Sequence, residues 1–190
     1  MPLSLADPHL DRLHAEVRAV TAETEALCAG LSPAQLLWCP NPKSWSVAHC
    51  FAHLNTTADL YYERVGKGIE RTRAAGAQRS GPWRPSLIGR IFLSFTGPRV
   101  RWRVPAPPRL MPAGGVTADA AARFLVRQGE LASLLSAADG IDLSFERIGS
   151  PLSRRLRLTV GDALTMLVGH ERRHLEQARR VTATSGFPVG

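Results

Sequence analysis

An all-α architecture, a four-helix bundle, is what this sequence predicts, and three observations carry that prediction. Apolar residues recur at three- and four-residue steps through four long segments. No segment shows a sustained strand-like alternation. A long connection rich in proline and arginine divides the four segments into two pairs. At 190 residues the chain fits one domain, residues 1–190, with room for a substantial core.

The first helix is predicted from about Asp7 to Gly30. Leu10, Leu13, Val17, Val20 and Leu27 mark its inner face, Asp7-Pro8 is a good entry, and Gly30 is a stop. A short connection, residues 31–43, contains Pro33, Pro40 and Pro42. Ser44-Trp45-Ser46 then opens a second helix reaching about Gly66, with Val47, Cys50, Phe51, Leu54, Ala58, Tyr61 and Val65 in one broad stripe. His53 adjoins that stripe at its edge.

Residues 67–116 form the excursion between the second and third long helices. Seven prolines between 82 and 112 exclude a continuous helix, although Leu87–Phe95 reads as a short one and Val100–Val104 as an extended piece. A connection of this length is expected to cross the bundle or cover one end of it. The third long helix is predicted from a Thr117 cap to about Ala138, with Ala121, Phe124, Leu125, Gln128, Leu131 and Leu135 facing inward and Gly140 as its terminator. A loop containing Gly149 and Pro151 follows. Thr159-Val160-Gly161-Asp162 has the pattern of a capping box, and the last helix extends from there to about Val181. Ala163, Leu167, His170 and His174 fall on one line of it, so the two histidines continue an apolar stripe.

The net charge of +8 comes almost wholly from arginine, since Lys43 and Lys67 are the only lysines. Arginines cluster between Arg79 and Arg109 and again at Arg154, Arg155 and Arg157. No recognisable nucleic-acid motif surrounds them, so a solvated basic surface is the expectation rather than DNA or RNA binding. Cys28, Cys39 and Cys50 are odd in number and lack metal-finger spacing, so they read as reduced thiols. Cys50, three residues before His53, is expected to be a small buried apolar residue rather than a ligand. With no leader-like segment and no apolar run near the ~20 residues that span a bilayer, a cytoplasmic protein without a membrane partner is expected.

Chemistry enters through histidine. His49/His53 and His170/His174 are each four residues apart, where six histidines predict only about 0.2 such pairs by chance. Residues at that spacing share a helical face, about 5–6 Å apart at Cβ. Two imidazoles so placed can close on one divalent cation at about 2.0–2.1 Å. His53, on another helix, is the best third ligand. Three imidazoles leave a position open, as catalytic sites do. His49, one turn before His53, reads as a fourth ligand, a group behind the first three, or an exposed residue. His9 and His14 read as surface residues. His170-Glu171-Arg172-Arg173-His174 also matches the H-E-x-x-H helix of zinc peptidases. A suitable downstream ligand and a preceding strand are both missing from the reading, which disfavours that activity. Glu171 is kept as a candidate proton acceptor, weighed against a solvated helix charge.

Two segments then resemble a known family. Trp45-Ser46, followed by His53-Leu54, resembles the W-S-x-x-x-x-x-x-H-L segment of the DinB-like (DinB/YfiT) metal-binding four-helix bundles. His170, His174 and Gln177 resemble that family's H-x-x-x-H-x-x-Q segment, and the order of the histidines along the helices agrees. The resemblance spans roughly residues 7–66 and 117–181, and His49 is not part of it. It implies an up-down-down-up bundle, frequently a homodimer, whose triad His53, His170 and His174 holds zinc or nickel, with iron or manganese as alternatives. It also implies a metal-dependent hydrolase or a transferase acting on a small-molecule substrate with a low-molecular-weight thiol. The alternative is a bundle that binds metal in a stress response without turnover.

Overall fold

The computed structural model describes residues 5–96, 107–112 and 114–189. The expected extended piece at Val100–Val104 lies outside them. The chain is mostly helical. Its elements are α1 (Pro8–Cys28), α2 (Pro33–Leu37), α3 (Val47–Ala74), α4 (Leu87–Thr96), a 3-10 turn (Pro108–Leu110), α5 (Ala120–Ala137), β1 (Arg147–Ser150), β2 (Ser153–Thr159) and α6 (Val160–Thr182). α1 and α3 each pack against both α5 and α6.

Side-chain pairings set the relative directions. Asp139, just past α5, accepts from the backbone N–H groups of Ala6 and Asp7, so the start of α1 meets the end of α5. Arg172 and Arg179 of α6 reach Glu16 and Glu23 of α1, with numbers rising together along both helices. α3 runs against α6: His53 lies beside His170, and Gly68 lies beside Val160. The stripe Val47, Cys50, Phe51, Leu54, Ala58, Tyr61 and Val65 is buried in full.

Helix starts follow their local chemistry. Asp7 caps α1 by accepting from the His9 and Leu10 N–H groups, and Gly30 follows that helix at φ +78°. Ser46 caps α3, and Thr159 with Asp162 forms the expected capping box of α6. α5 begins later than Thr117. Its N-cap is Asp119, which makes no side-chain cap, and the Thr117 hydroxyl donates to the Asp119 carboxylate instead.

Three elements depart from the sequence reading. α3 does not stop at Gly66 but runs to Ala74. Its glycines serve close packing: a Cβ on Gly68 would lie 2.8 Å from the Ile148 methyl and 3.0 Å from that of Val160. The excursion therefore begins at residue 75. α2 occupies part of the first connection, with a capping box of its own from Ser32 and Gln35. Finally, residues 147–159 form an antiparallel hairpin, Arg147 opposite Thr159 and Ile148 opposite Leu158, with an irregularity at Gly149/Ser150. Its strands are four and seven residues long, and the alternation they carry, Arg155-Leu156-Arg157-Leu158, is too brief to stand out beside the long helical stripes. Among the described residues, no helix is long and apolar enough to cross a membrane.

The excursion is anchored to the start of α6. Asp162, fully buried, accepts from the Thr159 N–H (3.1 Å), the Ser86 N–H (3.1 Å) and the Ser86 hydroxyl (2.7 Å). Trp83 lies so close over Gly161 that a Cβ there would fall 2.3 Å from the indole nitrogen. Replacing Asp162 by Ala strands these buried donors, so we expect a loss of about 2–3 kcal/mol in urea unfolding and earlier proteolysis within residues 75–96.

Candidate metal centre

Where α3 passes α6, three imidazoles meet. The Nε2 atoms of His53 and His170 are 3.2 Å apart, and those of His170 and His174 are 3.1 Å apart. Ring centroids lie 4.5–4.9 Å from one another, with neighbouring rings edge to face. Ligands at 2.0–2.1 Å from a tetrahedral centre are separated by about 3.3 Å, so the spacing suits a single ion. One ligand atom from each ring lies within 4.8 Å of the other two, and this is the one such group of His, Cys, Asp or Glu among the described residues.

Sequence explains two of the three placements directly. His170 and His174 share a face of α6 through their four-residue spacing. His53 comes from the inner edge of α3, and its ring is fixed from behind: Nδ1 donates to the Leu110 carbonyl at 2.8 Å. That bond puts the ring proton on Nδ1 and leaves the Nε2 lone pair facing the other rings. The carbonyl belongs to the 3-10 turn of the excursion, so the long connection reaches the centre itself. Trp45, just before α3, stacks on His174 (centroids 5.5 Å, planes 21° apart) and tilts against His53 at 5.0 Å.

His49 is not among the converging rings. Its Nδ1 turns back to the cap, 2.8 Å from the Ser46 hydroxyl oxygen, and its backbone N–H donates to the same oxygen. The four-residue spacing with His53 is thus shared between two tasks, capping the helix and contributing to the cluster.

A family model described as the DinB superfamily matches residues 16–178. The chain belongs to the DinB superfamily. Comparison with curated proteins gives no match, and comparison with solved structures gives none.

Within this DinB-superfamily chain the other reactive residues fall into structural roles. Glu171 is neither solvated nor beside the imidazole nitrogens. It is buried between α3 and α5, where Gln128 Nε2 donates to it at 3.2 Å and the Tyr62 side chain lies close by. A strand does precede the H-E-x-x-H helix, contrary to the sequence reading, but the glutamate faces away from the cluster. Cys50 is fully buried in the core. His9 is not a free surface residue: its ring stacks on Trp83 at 4.4 Å and its Nε2 lies 2.9 Å from the Thr165 hydroxyl. His14 lies on the outer part of α1, with Nδ1 against the Arg18 guanidinium. Sequence reasoning missed Leu110, whose contribution is a backbone carbonyl with no side-chain signature. Trp45 was visible only as part of a motif.

Protonation follows burial. Desolvation lowers the proton affinity of His53 and His170, and lowers that of His174 most clearly, with mutual repulsion and Arg173 adding to it for the latter two. Burial drives the Glu171 carboxyl the other way, up to about 8. The signs oppose each other. Unfolded imidazoles take up protons below 6.5 that the folded ones refuse, so metal-free stability falls with pH there, by up to about 1.4 kcal/mol per pH unit for each ring. The folded Glu171 keeps its proton while the unfolded one releases it above 4.5, so its contribution is lost as pH rises toward 8. Glu171→Gln should therefore gain on the parent protein in urea unfolding between about pH 5 and pH 8. A constant difference over that range would show that the carboxyl is not held protonated.

Proposed function

We propose that this protein is a divalent-metal-dependent enzyme of the thiol-transferase or hydrolase type, with His53, His170 and His174 as its metal ligands. Zinc or nickel is the preferred ion, with iron or manganese next. The supporting observation is that His170 Nε2 lies 3.2 Å from that of His53 and 3.1 Å from that of His174, with ligand atoms of all three rings within 4.8 Å of one another, inside a DinB-superfamily chain. The pairings of helix ends support a single-domain, up-down-down-up four-helix bundle as the fold reading. Cytoplasmic location and a homodimeric state belong to the same proposal.

Each residue has a task in it. His53 offers Nε2 because its Nδ1 proton is committed to Leu110. Low proton affinity keeps His170 and His174 able to ligate in mildly acidic solution. Trp45 shields one side of the cluster from water. A bound divalent ion supplies Lewis-acid activation of water or of a thiol cosubstrate. Arginines of the excursion are candidates for gripping carboxylates on such a thiol, since guanidinium matches carboxylate in a bidentate fork.

A second reading, metal held without turnover, is favoured by one feature: His53 and His174 are only 2% and 6% exposed. Metal analysis of the purified protein separates the ligand assignment from the activity. The parent protein should carry about one ion per chain and His170→Ala should lose it; full occupancy in the variant removes the triad. The metal-loaded protein should consume electrophiles in the presence of low-molecular-weight thiols, and His170→Ala should not. Retained metal with no turnover across a broad panel decides for the second reading.

A further inference from the structure

The positive charge of this chain is not spread over its surface. Residues 71–118 contain nine arginines and no Asp or Glu, and residues 147–161 contain four arginines and again none. The remaining residues carry 11 basic side chains against 16 acidic ones and are net negative, so the whole excess of +8 arises in these two segments. The structure brings the segments together, because α4 packs against β2 as well as α6.

α4 is built unusually for a surface helix. One side faces the protein: Gly89 lies against Asp162, where a Cβ would fall 2.0 Å from the carboxylate, while Phe92 and Leu93 pack on the core. The opposite side is also apolar. Leu87 is 71% exposed, Ile88 41% and Ile91 64%, and the three share an arc of about 100° around the helix. Arg90, exposed, borders this arc on the helix, and Arg84, also exposed, lies just before the helix starts. Arg155 and Arg157 are exposed on β2, with Arg147 on β1 beside them. Among the described residues none of these five arginines forms an ion pair. Arg71 and Arg79, in the same segment but before α4, pair with Glu146 and Asp7, and Arg127, Arg172 and Arg179 are matched by Asp59, Glu130, Glu16, Glu23 and Glu176.

We propose that this face docks on an anionic phospholipid bilayer, with α4 lying in the plane of the headgroups. Leu87, Ile88 and Ile91 enter the acyl boundary, and the arginines at α4 and on the hairpin contact lipid phosphates. An interfacial helix needs no membrane-spanning length, so the lack of a spanning helix among the described residues is compatible with it. Charge complementarity selects this occupant over the rivals. A second copy presenting the same face would set unpaired arginines against unpaired arginines. A nucleic acid would satisfy the arginines but leave three aliphatic side chains facing phosphate and water, with no stacking role for them.

Co-sedimentation of the full chain with phospholipid vesicles tests the proposal. The protein should pellet with vesicles of equal parts phosphatidylglycerol and phosphatidylcholine, and remain in solution with phosphatidylcholine alone. The Leu87→Ser/Ile91→Ser double variant changes only exposed positions and should weaken the partition at least about tenfold with its charge intact. Arg84→Glu/Arg155→Glu should weaken it to a similar degree, and high salt should reduce binding of the parent protein. Metal content and circular dichroism of both variants should match the parent, which keeps this test separate from that of the histidine centre. Failure to pellet with the anionic vesicles overturns the proposal. So does equal binding to neutral vesicles, or binding that the Leu87/Ile91 variant leaves unchanged. Retention of duplex DNA by a protein that ignores vesicles would assign the arginines to nucleic acid instead. A concentration-dependent dimer dissolved by the Leu87/Ile91 variant would assign the apolar arc to a second copy.

Discussion

The close, opposed packing of α3 on α6 is the constraint from which the centre follows. At one end Gly68 brings the α3 backbone against Ile148 and Val160, with no space for a Cβ. At the other end the same pair of helices brings His53 within hydrogen-bonding distance of His170, which in turn lies at that distance from His174 on its own helix. A wider separation would leave three histidines on two helices with no common point between them. Small residues at one contact and imidazoles at the other thus belong to one geometric arrangement, in which helix spacing decides whether ligand atoms can converge.

The interior around this crossing avoids uncompensated charge. Two of the three imidazoles are deeply buried and resist protonation, while Glu171, buried one residue after His170, resists losing its proton. Both shifts have the same origin, since each group takes its neutral form where water is excluded. Glu171 therefore ties α6 to α5 through Gln128, with Tyr62 of α3 close by, in spite of sitting in a sequence pattern associated with zinc peptidases.

The excursion is part of this architecture and not an idle loop. Ser86 is held by Asp162, Trp83 lies between His9 and Gly161, and the Leu110 carbonyl holds His53. One connection thereby closes the start of α6, displays α4 with its apolar outer face, and sets the tautomer of a candidate ligand. The expectation that a connection of this length crosses or covers the helices agrees with these contacts, although its manner of doing so was not legible beforehand.

What the sequence determined by itself was whatever depends on local periodicity. The long helices, the buried stripe of α3, the caps at Asp7, Ser46 and Thr159, and the shared face of His170 and His174 all follow from residues within one or two turns of each other. Tertiary structure decided what depends on residues far apart in the chain. The sequence reading ends the second helix near Gly66, but Gly66 and Gly68 are contact points inside it, because their role is set by Leu134, Ile148 and Val160. His49 and His53 have the same spacing as the α6 pair, yet only His53 faces the cluster, since Ser46 holds the His49 ring at the cap. The Leu110 carbonyl could not be found at all by reading side chains, because every residue carries that group and only the path of the backbone brings one of them to His53.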